Sequence, residues 1–584
     1  MKNLSGAHAT VQVLEQFGVD VCFGMCGHTN LWMLKAIEES GIRFVGVRHE
    51  QMATHAADGY FRAKRKPALV LTTIGPGMTN ALTGLGDALL DGAAMVMIAG
   101  DAPNYFSGQE AFQELSNIGE AEQVSAARPL VKRAWRVAHR AALIPNLVEA
   151  IRVATTGNPG PVLLSVPLNF FSEMREEKIP AARQQMPTDT FSAPRKSTID
   201  DALRLLNGAS NPVIIAGGGA VNAEAQAELT EFAHALGIPV VTTLSGCGAI
   251  SQDDDHHAGF ISTVGSPIAH KLVNVSDVTL VLGSRLGEME TSSWDNQISL
   301  RGGQTKIIQV DIDPRQVGRF YPVQLGIVAN VRGFLDEANA LLRANSVAPS
   351  KPRVSRIAEI KAQVAAWKKE IRETSTWEAS PIAVERLLAE IRAVLPRNGI
   401  FLTDVGIRHM VAQQFETYHP SRLYVGSGWG TMGGAVAAAI GAKLACPEAP
   451  VIAEVGDGAF TSIMGAVVTA VEHEVPVVWV VMNNYGYSSI SVYQAKHGLG
   501  KIGTSFREGG GPSYSPDYAA FAIACGAGGA TVRKAADLRP ALEKALASGR
   551  PYVLDVLTES EPRFRASGRL DVNDLLAGVK SPHS

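Results

Sequence analysis

Residues 454–460 of this 584-residue chain read Glu-Val-Gly-Asp-Gly-Ala-Phe, and residues 475–486 read Val-Pro-Val-Val-Trp-Val-Val-Met-Asn-Asn-Tyr-Gly. Each segment is typical of a β-strand that ends in a turn. Because parallel strands end at one edge of a sheet, we expect Asp457 and Asn484 to lie close together there. Their oxygens suit Mg²⁺, and the turn glycines with a helix starting near Ala459 suit a phosphate group. A lone Gly-Asp-Gly also fits an ordinary helix N-cap, so the second segment is what indicates a metal–phosphate site.

An earlier part of the chain repeats this pattern. Residues 74–100 contain a strand, a Gly75-x-Gly77 turn, a helix and a second strand at nearly the same spacing. Pro76 stands where the later copy has Asp457, so only the later copy offers a carboxylate to a cation. The repeat predicts two domains that share one fold.

The whole chain alternates short apolar β-type runs with Ala- and Leu-rich helical runs, which predicts an α/β protein of parallel sheets. Polar, proline-bearing stretches at 174–196 and 345–381 interrupt the alternation, and we interpret them as linkers. We therefore expect three Rossmann-like domains and a C-terminal tail, at residues 1–175, 196–345, 380–560 and 561–584.

Composition excludes several classes of function. The chain has 53 Lys and Arg against 56 Asp and Glu, a net charge of −3 that argues against a nucleic-acid partner or a charged membrane surface. It has no apolar run of about 18 residues and no N-terminal signal core, so we expect no membrane segment. Five scattered cysteines are typical of a reduced, cytoplasmic protein.

Further motifs accompany the 454–486 region in chain order. They are Arg48-His49-Glu50, Gly75-Pro76-Gly77-Met78-Thr79-Asn80, Ala111-Phe112-Gln113-Glu114, Thr403-Asp404-Val405-Gly406 and Gly430-Thr431-Met432-Gly433. Together these segments resemble the thiamine diphosphate (ThDP) dependent enzymes, and they are similar to the acetolactate synthase group of that superfamily over nearly the whole chain. The resemblance implies a pyrimidine-binding first domain, a central domain of FAD or ADP type and a diphosphate-binding third domain.

The resemblance also implies roles for individual residues. Asp457, the side chain of Asn484 and the carbonyl of Gly486 are the implied Mg²⁺ ligands. Glu50, at the end of an alternating strand, would hydrogen-bond the ThDP pyrimidine and promote proton transfer, although a strand-end glutamate is often a surface ion pair. Met432 would hold the cofactor bent, because an unbranched apolar side chain fills irregular space. The other implied cofactor-binding residues are Gly406, Gly430, Gly456, Gly458 and Ala459. Ile407-Arg408 departs from the Gln-His that relatives carry after Asp-Val-Gly, and Arg408 is a candidate contact for phosphate oxygens.

The substrate-pocket segments depart from the acetolactate synthase pattern. His28, in a Gly-His-Thr sequence that resembles cyclohexane-1,2-dione hydrolase, is a candidate proton donor or a turn former. Phe112-Gln113 stands where pyruvate decarboxylases carry a His pair, and Gln113 is a second polar candidate. Ser491 and Tyr493 stand where acetolactate synthases carry an Arg and a Trp. Without that arginine the site lacks a bidentate partner for a substrate carboxylate. The acceptor substrate therefore stays open.

The central domain carries three segments that resemble an FAD- or ADP-binding domain. They are Gly217-Gly218-Gly219, Gly283-Ser284-Arg285 and Asp311-Ile312-Asp313. Glycine-rich βα turns also occur in Rossmann-like sheets that bind nothing. The sequence leaves FAD, ADP or CoA, and no nucleotide as alternatives.

The function implied is a carboligase or lyase that forms or cleaves a carbon–carbon bond next to a carbonyl, with a 2-oxo acid or a related small carbonyl compound as substrate. A 2-hydroxyacyl-CoA lyase and a 1,2-diketone hydrolase are close variants. A flavin-linked 2-oxo acid oxidase is a second class, and a non-catalytic regulatory protein, which the intact Glu50 and Asp457 argue against, is a third. Because these two residues meet across subunits in the family, we expect a homodimer or homotetramer.

Overall fold

The computed structural model describes residues 2–568, except 116–121, 181–192, 375–376, 420–421, 427 and 561–567. The expected C-terminal tail thus lies outside the described residues apart from Gly568. No helix in the described part of the chain combines the length and apolarity needed to cross a bilayer.

The first domain has eight strands and eight α-helices among its described residues. Its strands are β1 (Lys2–Ser5), β2 (Val21–Gly24), β3 (Arg43–Gly46), β4 (Ala68–Thr72), β5 (Met95–Asp101), β6 (Arg133–Arg136), β7 (Pro161–Pro167) and β8 (Met174–Glu177). Its helices are α1 (Gly6–Gln16), α2 (Leu31–Glu38), α3 (Glu50–Lys64), α4 (Pro76–Asn80), α5 (Leu82–Asp91), α6 (Gln123–Ala127), α7 (Leu143–Thr155) and α8 (Leu168–Ser172).

Six of these strands form a parallel sheet in the order β3-β2-β4-β5-β7-β6, and β1 pairs with β8 as a separate antiparallel ribbon. Every residue of β5 and β7 is buried. Burial on both faces is what a parallel sheet covered by helices on each side requires, and it explains the continuous apolar runs in these strands.

The middle domain is a second six-stranded parallel sheet. Its strands are β9 (Val213–Ala216), β10 (Val240–Thr242), β11 (His257–Phe260), β12 (Val278–Leu282), β13 (Lys306–Asp311) and β14 (Leu325–Val328). Its helices are α9 (Lys196–Asn207), α10 (Gly218–Asn222), α11 (Gln226–Leu236), α12 (Pro267–Asn274) and α13 (Val331–Ala344). The strand order β11-β10-β9-β12-β13-β14 is that of dinucleotide-binding folds.

A long helix, α14 (Lys351–Thr374), follows the middle domain. The interpretation of residues 345–381 as a linker is therefore wrong for most of its length. The helix buries an apolar stripe at i, i+3, i+7 and i+10. Its members are Ile357, Ile360, Val364 and Trp367. Val364 packs into the core of the middle domain and Trp367 into that of the third, so α14 connects the two.

The third domain is a parallel sheet in the order β16-β15-β17-β18-β20-β19. Its strands are β15 (Ile400–Thr403), β16 (Arg422–Val425), β17 (Val451–Gly456), β18 (Val478–Asn483), β19 (Gly528–Val532) and β20 (Tyr552–Leu557). Its helices are α15 (Val384–Val394), α16 (Arg408–Gln414), α17 (Gly434–Ala445), α18 (Asp457–Ile463), α19 (Ala466–Glu472), α20 (Ser488–Lys496), α21 (Tyr518–Ala524) and α22 (Leu538–Ala547).

The first and third domains have one topology. Numbered in chain order within each domain, the strands of both six-stranded sheets lie in the order 2-1-3-4-6-5. In both, the glycine turn noted in the sequence follows the third strand of the sheet. The internal repeat therefore corresponds to two copies of one fold, and the middle domain has a different order.

Helices α3 and α17 join the first and third domains at backbone contact. A Cβ atom on Gly59 would lie 2.0 Å from the carbonyl oxygen of Ala438, and one on Gly441 would lie 1.8 Å from that of Ala56. Only glycine fits at such distances. The two domains consequently share one hydrophobic core, which includes residues of both helices.

We expect Gly441→Ala to destabilise the protein by about 1–3 kcal/mol, the usual range for overpacking, although alanine in place of a helical glycine normally stabilises. Denaturant unfolding measures the change. Gly208→Ala is the matched control, because Gly208 has φ −76° and its added Cβ would lie no closer than 3.4 Å to another atom. Equal stability of Gly441→Ala and wild type would contradict the close helix packing.

Candidate active site

The structure brings Asp457 and Asn484 together at the C-terminal edge of the third sheet. Asp457 begins α18 directly after β17, and Asn484 follows the neighbouring parallel strand β18. Asp457 is only 1% exposed. Its Oδ2 accepts hydrogen bonds from the amides of Asn484 at 3.0 Å and Gly486 at 3.2 Å, and its Oδ1 accepts from Gly458 at 2.7 Å. The helix begins two residues before the position expected from the sequence.

Three residues of this turn have oxygen atoms that could bind a metal ion. Burial raises the pKa of Asp457, an effect that the surrounding amides oppose. The Oδ1 atom of Asn484 is buried and accepts no hydrogen bond from the described residues. The carbonyl of Gly486 accepts from the Ser488 amide at 3.0 Å, which leaves its second lone pair. A buried acceptor without a donor costs about 1–3 kcal/mol, and a bound cation would remove that cost.

Glu50 lies at the corresponding edge of the first sheet. The expectation that it ends a strand is wrong, because β3 ends at Gly46 and Glu50 is the first residue of α3, with His49 as N-cap. Glu50 is 5% exposed, and its Oε2 accepts a hydrogen bond from Asn80 Nδ2 at 2.9 Å. A Cβ atom on Gly77 would lie 3.2 Å from its Oε1, so the glycine turn leaves room beside the carboxylate.

The Met432 loop is held by a side chain from another strand. Asp404, directly after β15, accepts hydrogen bonds at Oδ2 from the amides of Gly433 at 2.9 Å and Ala435 at 3.2 Å. It thereby caps α17, and its own burial raises its pKa to about 6. Gly430 and Gly433 have φ of +74° and +85°, which favour glycine. Met432 lies between them and is 42% exposed.

Arg408 and Gly406 lie next to this loop. Arg408 begins α16 and donates from Nη1 to the carbonyl of Gly426 at 2.5 Å. Among the carboxylates that interact with its charge are Asp91 of the first domain and Glu290 of the middle domain. Arg408 therefore balances the charge of buried carboxylates inside the protein. The phosphate contact predicted for it from the sequence stays a prediction. Gly406 is exposed.

Buried ionisable groups between the first and third domains escaped the sequence analysis. Burial raises the pKa of Asp87 to about 7 and that of Glu454 to about 8, and it lowers the pKa of His55 to about 4. Glu454 accepts a hydrogen bond from Thr403 Oγ1 at 2.6 Å. The available signal was the spacing of His55, Asp58 and Arg62, which places three ionisable side chains on one face of α3.

The pocket segments lie at the same edge of the first sheet as Glu50. His28 is exposed, and its ring centroid lies 5.3 Å from that of Phe112. Gln113 has φ of +64°, and its carbonyl oxygen would lie 2.2 Å from a Cβ atom on Gly75. The Oε1 of Gln113 is buried without a donor among the described residues. His28, Glu50 and Gln113 lie in the segments after β2, β3 and β5, which end at this edge, and each has a polar side chain.

The three central segments lie at the topological switch of the middle sheet, where β9 and β12 are neighbours. The turn after β9 contacts the turn after β12, with the Gly219 amide donating to the Gly283 carbonyl at 2.9 Å. Burial raises the pKa of Asp311, at the end of β13, to about 6. Ligands bind at this crevice in open α/β sheets, while close packing of the turns already accounts for the glycines.

Comparison with known proteins agrees with this geometry. Residues 4–120 match the N-terminal TPP binding domain, residues 199–338 the central domain and residues 404–556 the C-terminal TPP binding domain of thiamine pyrophosphate enzymes. TPP, thiamine pyrophosphate, is the same compound as ThDP. The chain is thus a ThDP-dependent enzyme.

The relatives define the group more narrowly. The chain is 31% identical to the acetolactate synthase large subunit of Haemophilus influenzae, over 93% of this chain and 92% of the relative. It is 30% identical to a probable acetolactate synthase large subunit of Methanocaldococcus jannaschii, over 97% and 94%, and to the chloroplastic acetolactate synthase of Arabidopsis thaliana, over 94% and 81%. The protein belongs to the acetolactate synthase-like family and is a carboligase.

Proposed function

We propose that the protein joins the acyl part of a 2-oxo acid to a second carbonyl compound, with ThDP and Mg²⁺ as cofactors. The proposal rests on the buried Asp457. This residue and its neighbours offer oxygen ligands for a metal ion at a strand-to-helix turn of a ThDP-binding domain. The acetolactate synthase relatives do not favour the oxidase, the CoA lyase or the diketone hydrolase.

The donor set fits Mg²⁺. Asp457, the carbonyl of Gly486 and the Oδ1 of Asn484, which accepts no hydrogen bond within the described part of the chain, supply hard oxygens. Phosphate and water would complete six-fold coordination. The diphosphate would lie at the start of α18, beside Gly458 and against the amide of Ala459, while the Gly458 amide donates to Asp457 Oδ1.

Glu50 is the proposed proton-handling residue. When bound, ThDP supplies the electron sink for chemistry next to a carbonyl. The Glu50 carboxyl, buried and oriented by Asn80, would hold and exchange a proton at the pyrimidine ring nitrogen of bound ThDP. Met432 and Gly430 would position the ring from the opposite domain, and the cap on Gly433 from Asp404 would keep that loop in place.

The acceptor subsite is proposed to differ from that of acetolactate synthases. Ser491 lies in α20, is buried, and donates from Oγ to the Ser488 carbonyl at 3.1 Å, so it offers no cation to a substrate carboxylate. His28 and Gln113 supply polar groups instead. Because no cation would bind a substrate carboxylate at this position, the site favours an acceptor that has a carbonyl group but no carboxylate.

The function is tested with a panel of 2-oxo acid donors and of ketone, aldehyde, acyl-CoA and diketone acceptors, with product masses recorded. We expect a ligation product with a carboxylate-free acceptor. His28→Ala should lower turnover by roughly 10²–10⁴-fold, the range for one general acid, while cofactor affinity is retained. Hydrolysis products alone would contradict a carboligase, and unchanged turnover of His28→Ala would leave Gln113 as the better polar candidate.

We expect Asp457→Ala to lose Mg²⁺-dependent ThDP binding, because it removes the anionic ligand from the turn. Titration calorimetry with ThDP, at fixed Mg²⁺, measures the affinity, and circular dichroism checks the fold. Asp336→Ala, which removes an exposed aspartate of the middle domain, should bind as wild type does. Unchanged ThDP affinity in Asp457→Ala would refute the metal assignment.

Glu50→Gln should still bind ThDP but exchange the thiazolium proton on the order of 10²–10⁴-fold more slowly, because the amide cannot transfer the proton. Exchange into deuterated water, quenched with acid and followed by NMR, gives the rate. The control is Glu39→Gln, a change at an exposed ion pair of the same domain. A wild-type exchange rate in Glu50→Gln would make Glu50 a purely structural residue.

We further propose that the active site is completed by a second subunit. Among the described residues, Glu50 and the Asp457 carboxylate make their hydrogen bonds within their own domains. Large apolar side chains around the site are exposed in the single chain. They include Phe112, Trp429, Met432, Ile490 and Ile502. A homodimer or homotetramer would cover them.

Mixed oligomers of Glu50→Gln and Asp457→Ala chains are expected to regain part of the activity. In such a dimer one of the two composite sites has both native residues. Each variant alone is the control, and the mixture is prepared by co-expression with two different tags and tandem purification. Inactive, well-folded mixed oligomers would exclude sites shared between subunits.

The middle-domain crevice is proposed to hold a nucleotide of FAD or ADP type, supported by its strand order and its two adjoining turns. Flavin absorbance of the purified protein distinguishes FAD from ADP, and mass analysis of the heat-released ligand identifies either.

We also propose a cytoplasmic location, because all five cysteines are free thiols. The redox state of the cysteines in cell extract tests this proposal.

A further inference from the structure

A cluster of metal-ligating side chains lies in the middle domain, separate from the ThDP site. His234 belongs to the last turn of α11, and Asp254 and His256 lie in the loop that leads into β11. One ligand atom from each of the three lies within 4.8 Å of the other two. His234 Nε2 is 3.0 and 3.1 Å from the two carboxylate oxygens of Asp254, and His256 Nδ1 is 3.5 Å from Oδ1.

The cluster is buried on one side and open on the other. His256 is 8% exposed, and its Nδ1 has no hydrogen-bond partner among the described residues. His234 is half exposed, which leaves a route from solvent. The two imidazole centroids are 4.0 Å apart. A neutral imidazole offers one nitrogen lone pair to a metal ion.

We propose that His234, Asp254 and His256 form a transition-metal site, with Zn²⁺ as the preferred ion. A tetrahedral zinc site with bonds of about 2.0–2.1 Å separates its ligand atoms by roughly 3.3 Å. The distances from Asp254 Oδ1 to His234 Nε2 and to His256 Nδ1, 3.1 and 3.5 Å, are close to that value, and the two nitrogens lie within 4.8 Å of each other. Two nitrogens and one oxygen match zinc, whereas Mg²⁺ and Ca²⁺ take six or more oxygens. Water entering beside His234 would be the fourth ligand.

The position of the site indicates a structural role. The loop that carries Asp254 and His256 also contacts the third domain, where Asp253 pairs with Arg397 and the Gln252 amide donates to the Thr417 carbonyl at 3.1 Å. An ion that fixes this loop to α11 would therefore stabilise the junction between the middle and third domains. The ThDP chemistry does not depend on it.

The test uses the full-length protein, treated with chelator and then saturated with ThDP and Mg²⁺ so that the Asp457 site is filled. Zn²⁺ is titrated at pH 7.5 against a chromophoric chelator, and bound zinc is counted by elemental analysis. We expect one zinc per chain and a rise in the unfolding temperature on its addition.

His234→Gln and His256→Gln should lose the bound zinc and the rise in unfolding temperature. His234→Gln alters a half-exposed side chain, so it remains informative if the buried His256→Gln does not fold. His8→Gln is the matched control, because His8 pairs with Glu39 at 2.8 Å in an exposed position of the first domain. Failure of the wild type to bind zinc, or wild-type binding by His234→Gln, would overturn the proposal.

Discussion

The contact between α3 and α17 is the constraint on which the arrangement of the site depends. Gly59 and Gly441 let the two backbones touch, and no other residue type fits there. Helix α3 begins at Glu50, and α17 begins just after the Met432 loop. One helix pair therefore fixes the positions of the first-domain carboxylate and the third-domain loop within each chain. A shift of these helices would move both at once.

Charged groups beside this contact are held in compensating pairs. Arg62 of α3 donates from Nε to Asp58 at 2.8 Å and from Nη2 to Asp91 at 2.7 Å, and it also reaches the carbonyl of Val425 in the third domain at 3.1 Å. A buried arginine without such partners would be strongly destabilising. Burial also raises the pKa of Asp87 to about 7.

The sequence predicted the parts of the site that depend on local pattern and on one topological rule. Asp457 and Asn484 are adjacent because parallel strands end at one edge, and the sequence spacing was enough to infer it. The cap from Asp404 to Gly433 joins residues 29 positions apart and has no local pattern. The helix start at Glu50 depends on the His49 cap, and α14 was hidden by its many charged residues, since its buried stripe is narrow.

The common topology of the first and third domains has an evolutionary consequence. Two sheets with strand order 2-1-3-4-6-5 and a glycine turn after the same strand are best explained by duplication of an ancestral unit. Among the differences between the copies is the residue between the turn glycines, which is proline at 76 and aspartate at 457. The proposed metal ligand thus belongs to one copy and the proposed proton-handling carboxylate, Glu50, to the other, so the two copies would contribute different chemistry to one cofactor.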